Sequence, residues 1–258
     1  MNQDNHYDDL TRRYETKKFE FPPLPDFLEQ KIRLYISRYH DFENMYKKLK
    51  RETDKSIARV EYGVGGESLP RGWYHPSPIV DLVFGNTSRG KVLKHLTARS
   101  NVKRKWYFDN GNRLIKTEEF YAYDDINSVY TEYYIYEANK RIGILVYDDS
   151  AMNISEENYE NGRIVDYLHL SINVCEVGKE SYTLQDIIVA GNFEAYTYDE
   201  KGIATADVYD DFTKDILFQH FFFYFEHDNE GYLSGYSQDD LLWKTKCDRD
   251  KLDFIPVY

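Results

Sequence analysis

The sequence predicts an α+β fold in which a long N-terminal amphipathic helix packs on a large antiparallel β-meander sheet. Three observations carry this. Apolar residues recur in steps of four and three through residues 26–52. From Trp106 onward the pattern changes to period two. Aromatic-x-aromatic-acid phrases then recur at positions 106, 121, 134, 196 and 223, each leading into a polar turn. Alternate strand residues share one face, so each pair of rings lies together, and the acid hydrogen-bonds ahead to open the turn.

The chain divides into a basic segment, residues 1–105, and an acidic one, residues 106–258. Together they are expected to make one compact unit. Residues 1–21 read as a polar arm. Pro22, Pro23 and Pro25 form a stiff lead-in that a helix interior would not accept. In the helix that follows, Leu28, Ile32, Tyr35, Tyr39, Phe42, Tyr46 and Leu49 make one stripe, and Lys and Arg occupy the other faces. The stripe is aromatic and under four heptads long. That favours packing on the chain's own sheet over a coiled coil.

Residues 53–77 are rich in Gly and Pro and read as loop, with a short strand at 58–62. A strand is expected at 78–84, then a short helix through Lys91–Leu96 with Thr87 or Ser88 as its cap. The basic run ends in Lys103, Arg104 and Lys105.

Beyond Trp106 the hairpin signals follow in series. Asn110-Gly111 is the strongest of them. Asn161-Gly162 and Asp228-Asn229-Glu230-Gly231 mark two more. Residues 132–149 and 194–211 echo each other. They share Glu132/Glu194, Tyr134/Tyr196, Tyr136/Tyr198, Val146/Val208, Tyr147/Tyr209, Asp148/Asp210 and Asp149/Asp211. Residues 216–225 are apolar on both faces and predict a central strand, with His220 hydrogen-bonded in or at the edge of the core. Residues 237–240 would start a short helix carrying Leu241, Leu242 and Trp243.

The net charge of −12 hides an asymmetry. Residues 1–105 hold 21 Lys/Arg against 14 Asp/Glu, or +7, and the remainder holds 12 against 31, or −19. The acidic part repels nucleic acid and attracts a basic protein. The basic run pairs most economically with the chain's own acidic sheet. Two cysteines, Cys175 and Cys247, cannot build a disulfide framework or a zinc site by themselves. The N-terminus has no apolar h-region, and the most apolar window is too short for a bilayer. A soluble, cytoplasmic protein with no membrane partner is expected.

No motif points to an enzyme, and no cofactor or metal is expected. Residues 85–92, GNTSRGKV, fit a phosphate loop except at the last place. There Val92 replaces the hydroxyl that would bind magnesium. The Tyr-Asp-Asp ends at 123–125, 147–149 and 209–211 could gather carboxylates for a divalent ion. Repeated strand ends more often make a solvated acidic rim. The histidines show no ligand spacing, and no Gly-x-Ser-x-Gly elbow occurs.

Tyr196-Thr197-Tyr198-Asp199-Glu200-Lys201-Gly202 resembles the YD-repeat phrase of Rhs-type and teneurin-like shells, and residues 108–114 resemble its turn and exit. The same phrases are similar to those of bacterial immunity proteins encoded beside polymorphic toxins. That resemblance implies a protein that neutralises a basic secreted toxin domain, most plausibly a nuclease. Exposed Asp124, Asp125, Asp148, Asp149, Asp210 and Asp211 would imitate phosphates, with Tyr147 and Tyr209 as anchors. The alternative is a non-enzymatic YD-like β-scaffold that binds a carbohydrate or a protein through aromatic rows.

Overall fold

The computed structural model describes residues 25–65, 72–77, 79, 90–123, 126–147, 150–174, 187–210, 219–229, 233–238 and 241–243. The first element is a 31-residue helix, α1 (Asp26–Ser56). The Pro25 carbonyl accepts from the amides of Leu28 and Glu29 and so starts the helix. Asp26 and Glu29 in the first turn, and Lys55 in the last, suit the helix dipole.

Thirteen strands among the described residues form one antiparallel sheet. They are β1 (Arg59–Val64), β2 (Lys91–Val92), β3 (Arg104–Phe108), β4 (Leu114–Tyr123), β5 (Ile126–Glu137), β6 (Lys140–Tyr147) and β7 (Ser150–Glu160). Then come β8 (Arg163–Val174), β9 (Ile187–Tyr198), β10 (Ile203–Asp210), β11 (Gln219–His227), β12 (Leu233–Gln238) and β13 (Leu241–Trp243). From β3 to β13 each strand lies beside its neighbour in sequence. At the other end, β1 pairs with β3 and β2 lies outermost. The division at residue 105 falls inside β3.

The helix crosses one face, its start meeting Phe193 of β9 and its end Lys116 of β4. Leu28, Ile32, Tyr35 and Tyr46 are buried against Tyr133, Ile142, Ile144, Val146, Ile154, Leu168, Leu170 and Phe193. Lys31 near its start pairs with Glu156 at 2.9 Å and Asp166 at 3.0 Å, and Asp54 near its end pairs with Lys116 at 3.0 Å. The side chains of Tyr39 and Phe42 are outside the described residues. On the far face, residues 72–77 and Ile79 cover the sheet. Of these, His75, Ser77 and Ile79 are buried.

Several expectations change. Lys91-Val92 is strand, not helix: it pairs with the end of β1. Gly90 there has φ +85°, and a Cβ would stand 2.6 Å from the Val64 carbonyl oxygen. The glycine thus serves close backbone approach. Residues 85–89 are outside the described residues. Of 78–84 only Ile79 is described, and its backbone is helical. Leu241–Trp243 is strand paired to β12. The strand at the C-terminal end of the 216–225 window, β11, lies third from one end of the sheet rather than at its centre.

The hairpins differ in their turns. Asn161 and Gly162 have φ +51° and +77° and close the two-residue turn their sequence predicts. At Asn110-Gly111 the left-handed residue is instead Asn112, φ +61°. The loop is one residue longer, because Asp109 Oδ1 accepts from the Arg113 amide and Oδ2 from its guanidinium.

Candidate functional site

The echoing units share a framework in their first strands. Tyr134 donates to Glu132 at 2.8 Å, and Tyr196 donates to Glu194. Tyr136 donates to the Leu114 carbonyl at 2.8 Å, and Tyr198 to the Ile164 carbonyl at 2.6 Å. Arg113 lies 5.3 Å over the Tyr136 ring, and Arg163 lies 5.1 Å over Tyr198. The spacing explains it: residues two apart in a strand share a face, so Glu meets Tyr. Glu157 and Tyr159 on β7 make the same pair.

These carboxylates are structural. Glu119, Glu132, Glu157 and Glu194 are all buried on the far face. Glu119 pairs with Arg104 and Glu157 with Arg141, each at 2.5 Å. Glu132 also accepts from Ser155, and Glu194 accepts from Ser77 and Asn192. Burial, with the Glu194 charge beside it, pushes the Tyr196 phenol well above its ordinary value. The basic first segment contributes Arg104 to this pairing, while on the helix face its Lys105 and Lys31 pair with Glu118 and Glu156. The Glu-x-Tyr spacing at 132, 157 and 194 is the sequence signal for the belt, and charge counting alone passes over it.

The second strands of the two units diverge. Glu137 pairs with Lys140, and Thr131 remains in step with Val146. In the second unit the Asp199 amide bonds to the Gly202 carbonyl, the equivalent position, but a bulge follows between Ile203 and Thr205. One extra residue flips everything after it. Val146 therefore packs under the helix and Val208 in the far-face cluster.

Tyr147 and Tyr209 accordingly lie on opposite faces. Tyr147 stacks on Tyr130 with centroids 4.7 Å apart, on the far face. Tyr209 stacks on His220 at 4.2 Å, on the helix face. No single flat partner surface touches both. Asp124, Asp125, Asp148, Asp149 and Asp211 lie outside the described residues, as does the side chain of Asp210. Asp239, Asp240, Cys175 and Cys247 also lie outside them.

Among the described residues, two accessible features stand out. The first is a strip on the helix face beyond the start of α1. Phe27 meets Phe193 at 5.4 Å and Tyr209 at 6.3 Å, Tyr209 stacks on His220, and His220 meets Phe222 at 5.1 Å. Phe222 is 39% exposed and Tyr224 52%. By alternation, Asp207 and Glu226 share their face. Asp207 accepts from His220 Nε2 at 2.6 Å. The apolar-both-faces pattern of β11 thus resolves into a buried side, with Phe223, and an exposed one. The second feature is a cavity of about 270 Å³ on the far face, between residues 74–76 and the β7–β8 and β9–β10 turns.

Among the described residues, no group of three His, Cys, Asp or Glu is placed to hold a metal ion. No helix there is long and apolar enough to cross a membrane. No protein-family model matches the chain, and a search of curated proteins finds no similar one.

Proposed function

We propose that this chain is a cytoplasmic immunity protein that binds and neutralises a basic toxin, a nuclease in the first instance, by covering it. The observation that carries the reading is the exposed aromatic strip with its flanking acids. Phe222 and Tyr224 supply rigid anchors that bury large area at low entropic cost. Asp207, Glu226 and the surplus of carboxylates in residues 106–258 draw in Lys and Arg that would otherwise meet phosphate. Tyr209 belongs to this surface, and Tyr147, on the opposite face, does not. The buried glutamates serve the sheet, so the attraction comes from the exposed acids alone.

The test uses the toxin domain encoded beside this chain in its source genome. Co-expression should restore growth of cells that make the toxin. Phe222→Ser with Tyr224→Ser should abolish rescue without changing the melting temperature. Glu226→Lys should slow association several-fold, and more at low salt. Failure of the wild-type chain to protect would overturn the reading.

The same rings support a second reading, a β-scaffold that binds a carbohydrate. Phe222 and Tyr224, two apart on one strand face, form a platform on which a sugar ring stacks. Saturable glycan binding that the double serine variant loses would favour it.

A further inference from the structure

We propose that the far-face cavity is a binding site for a small aromatic carboxylate. It lies on the opposite side of the sheet from the strip, so it does not depend on the partner proposed above.

The repeat supplies the first argument. Both units carry the same corner, in which a tyrosine ring is capped by an arginine and its hydroxyl is tied to a carbonyl. Near the first corner Trp73, Tyr74 and Tyr136 pack on the cluster of Trp106, Phe108, Leu114 and Tyr134. At the second corner Tyr198 and the arginine over it form part of the cavity wall.

The walls supply the second. Tyr74, Tyr159 and Tyr198 line the cavity. Their hydroxyls are already given to Glu61, Glu157 and the Ile164 carbonyl. What they offer a ligand is therefore ring surface. Burial raises the Tyr198 phenol to about 12 against the opposing pull of Arg163, so it stays a neutral donor to its carbonyl. The volume equals that of about nine waters, enough for one substituted ring and too little for a nucleotide.

Charge supplies the third. Arg141, Arg163 and Lys201 line the cavity, opposed by Glu200 on the wall and Glu157 behind Arg141. The site is net positive in a chain of net charge −12. Arg141 is buried and committed to Glu157, so it contributes field rather than a mobile contact. Arg163 and Lys201 are exposed at the turns and can close on a carboxylate at the mouth.

The experiment titrates the full chain with benzoate, with the neutral isostere benzamide, and with inorganic phosphate. It reads the backbone amide resonances of Gly162, Arg163, Lys201 and Gly202. Benzoate should give saturable shifts at these four amides. Benzamide and phosphate should each bind about tenfold more weakly or not at all. Arg163→Glu with Lys201→Glu, both surface changes, should weaken benzoate by about tenfold or more while leaving the other amide resonances in place. Equal affinity for benzamide would overturn the carboxylate, and equal affinity for phosphate would overturn the ring. No saturable shift up to the solubility limit, or unchanged binding by the double variant, would overturn the site.

Discussion

The Ser77 hydroxyl lies 2.7 Å from each carboxylate oxygen of Glu194, across 117 positions of chain. With the His75–Tyr167 contact, it ties the covering residues 72–77 to the middle of the sheet. Ser77→Ala leaves Tyr196 and Asn192 on the carboxylate, so the expected loss is about 1–2 kcal/mol. Urea denaturation should show it. Amide exchange should rise first in residues 72–77, which then open without the sheet.

Glu156 is set to resist acid. Burial alone would raise its pKa, but hydrogen bonds from Lys140, Tyr35, Asn158 and Lys31 outweigh it and lower the value to about 2. The folded value lies below the unfolded one, near 4.5. Its stabilisation is therefore complete above about pH 4.5 and is lost as pH falls toward 2. Glu156→Gln should be less stable than wild type at neutral pH, and the gap should narrow across that window. Thermal melts at a series of acid pH values would read it.

Arg104 and Glu119 are both buried, 2.5 Å apart. Removing one leaves the other charged without its partner. Glu119→Ala should cost about 3–5 kcal/mol, and replacing both, as Arg104→Met with Glu119→Leu, should recover most of it. A double-mutant cycle in urea measures the difference.

The bulge at Ala204 sets which face β10 presents after it. Deleting Ala204 keeps the pairing of Thr205 with Thr197 onward and should cost no more than about 1 kcal/mol. Deleting Asp207, beyond the bulge, turns Val208 out of its cluster. That change should cost more than about 2 kcal/mol and blunt the unfolding transition.

The sheet was legible because period two and turn chemistry are local. Tyr159 to Arg163 closes as its Asn-Gly predicts, and the helix stripe at Leu28, Ile32 and Tyr35 faces inward. The faces of β10 were not legible, because one unpaired residue changes no composition and hardly disturbs an alignment. The same holds for charge. Counting carboxylates does not separate Glu194, sunk beneath Ser77, from Glu226 on the surface. The tyrosine two places along marks Glu132, Glu157 and Glu194 as buried, and that clue needs a strand to give it meaning. A few apolar residues at Lys91-Val92 and at Leu241–Trp243 suggest helix. Both are strands because a neighbouring strand end offers backbone partners, a non-local fact.

The chain order of the strands has a consequence for synthesis. Each strand after β3 leaves the ribosome already beside its partner, so the sheet can lengthen one hairpin at a time with short loop closures. The helix cannot follow that schedule. It is made before every strand it covers, and its seat is complete only once Phe193 and then Tyr209 have been added. An aromatic helix thus waits, uncovered, through most of translation, and an element made early is among the last to be buried.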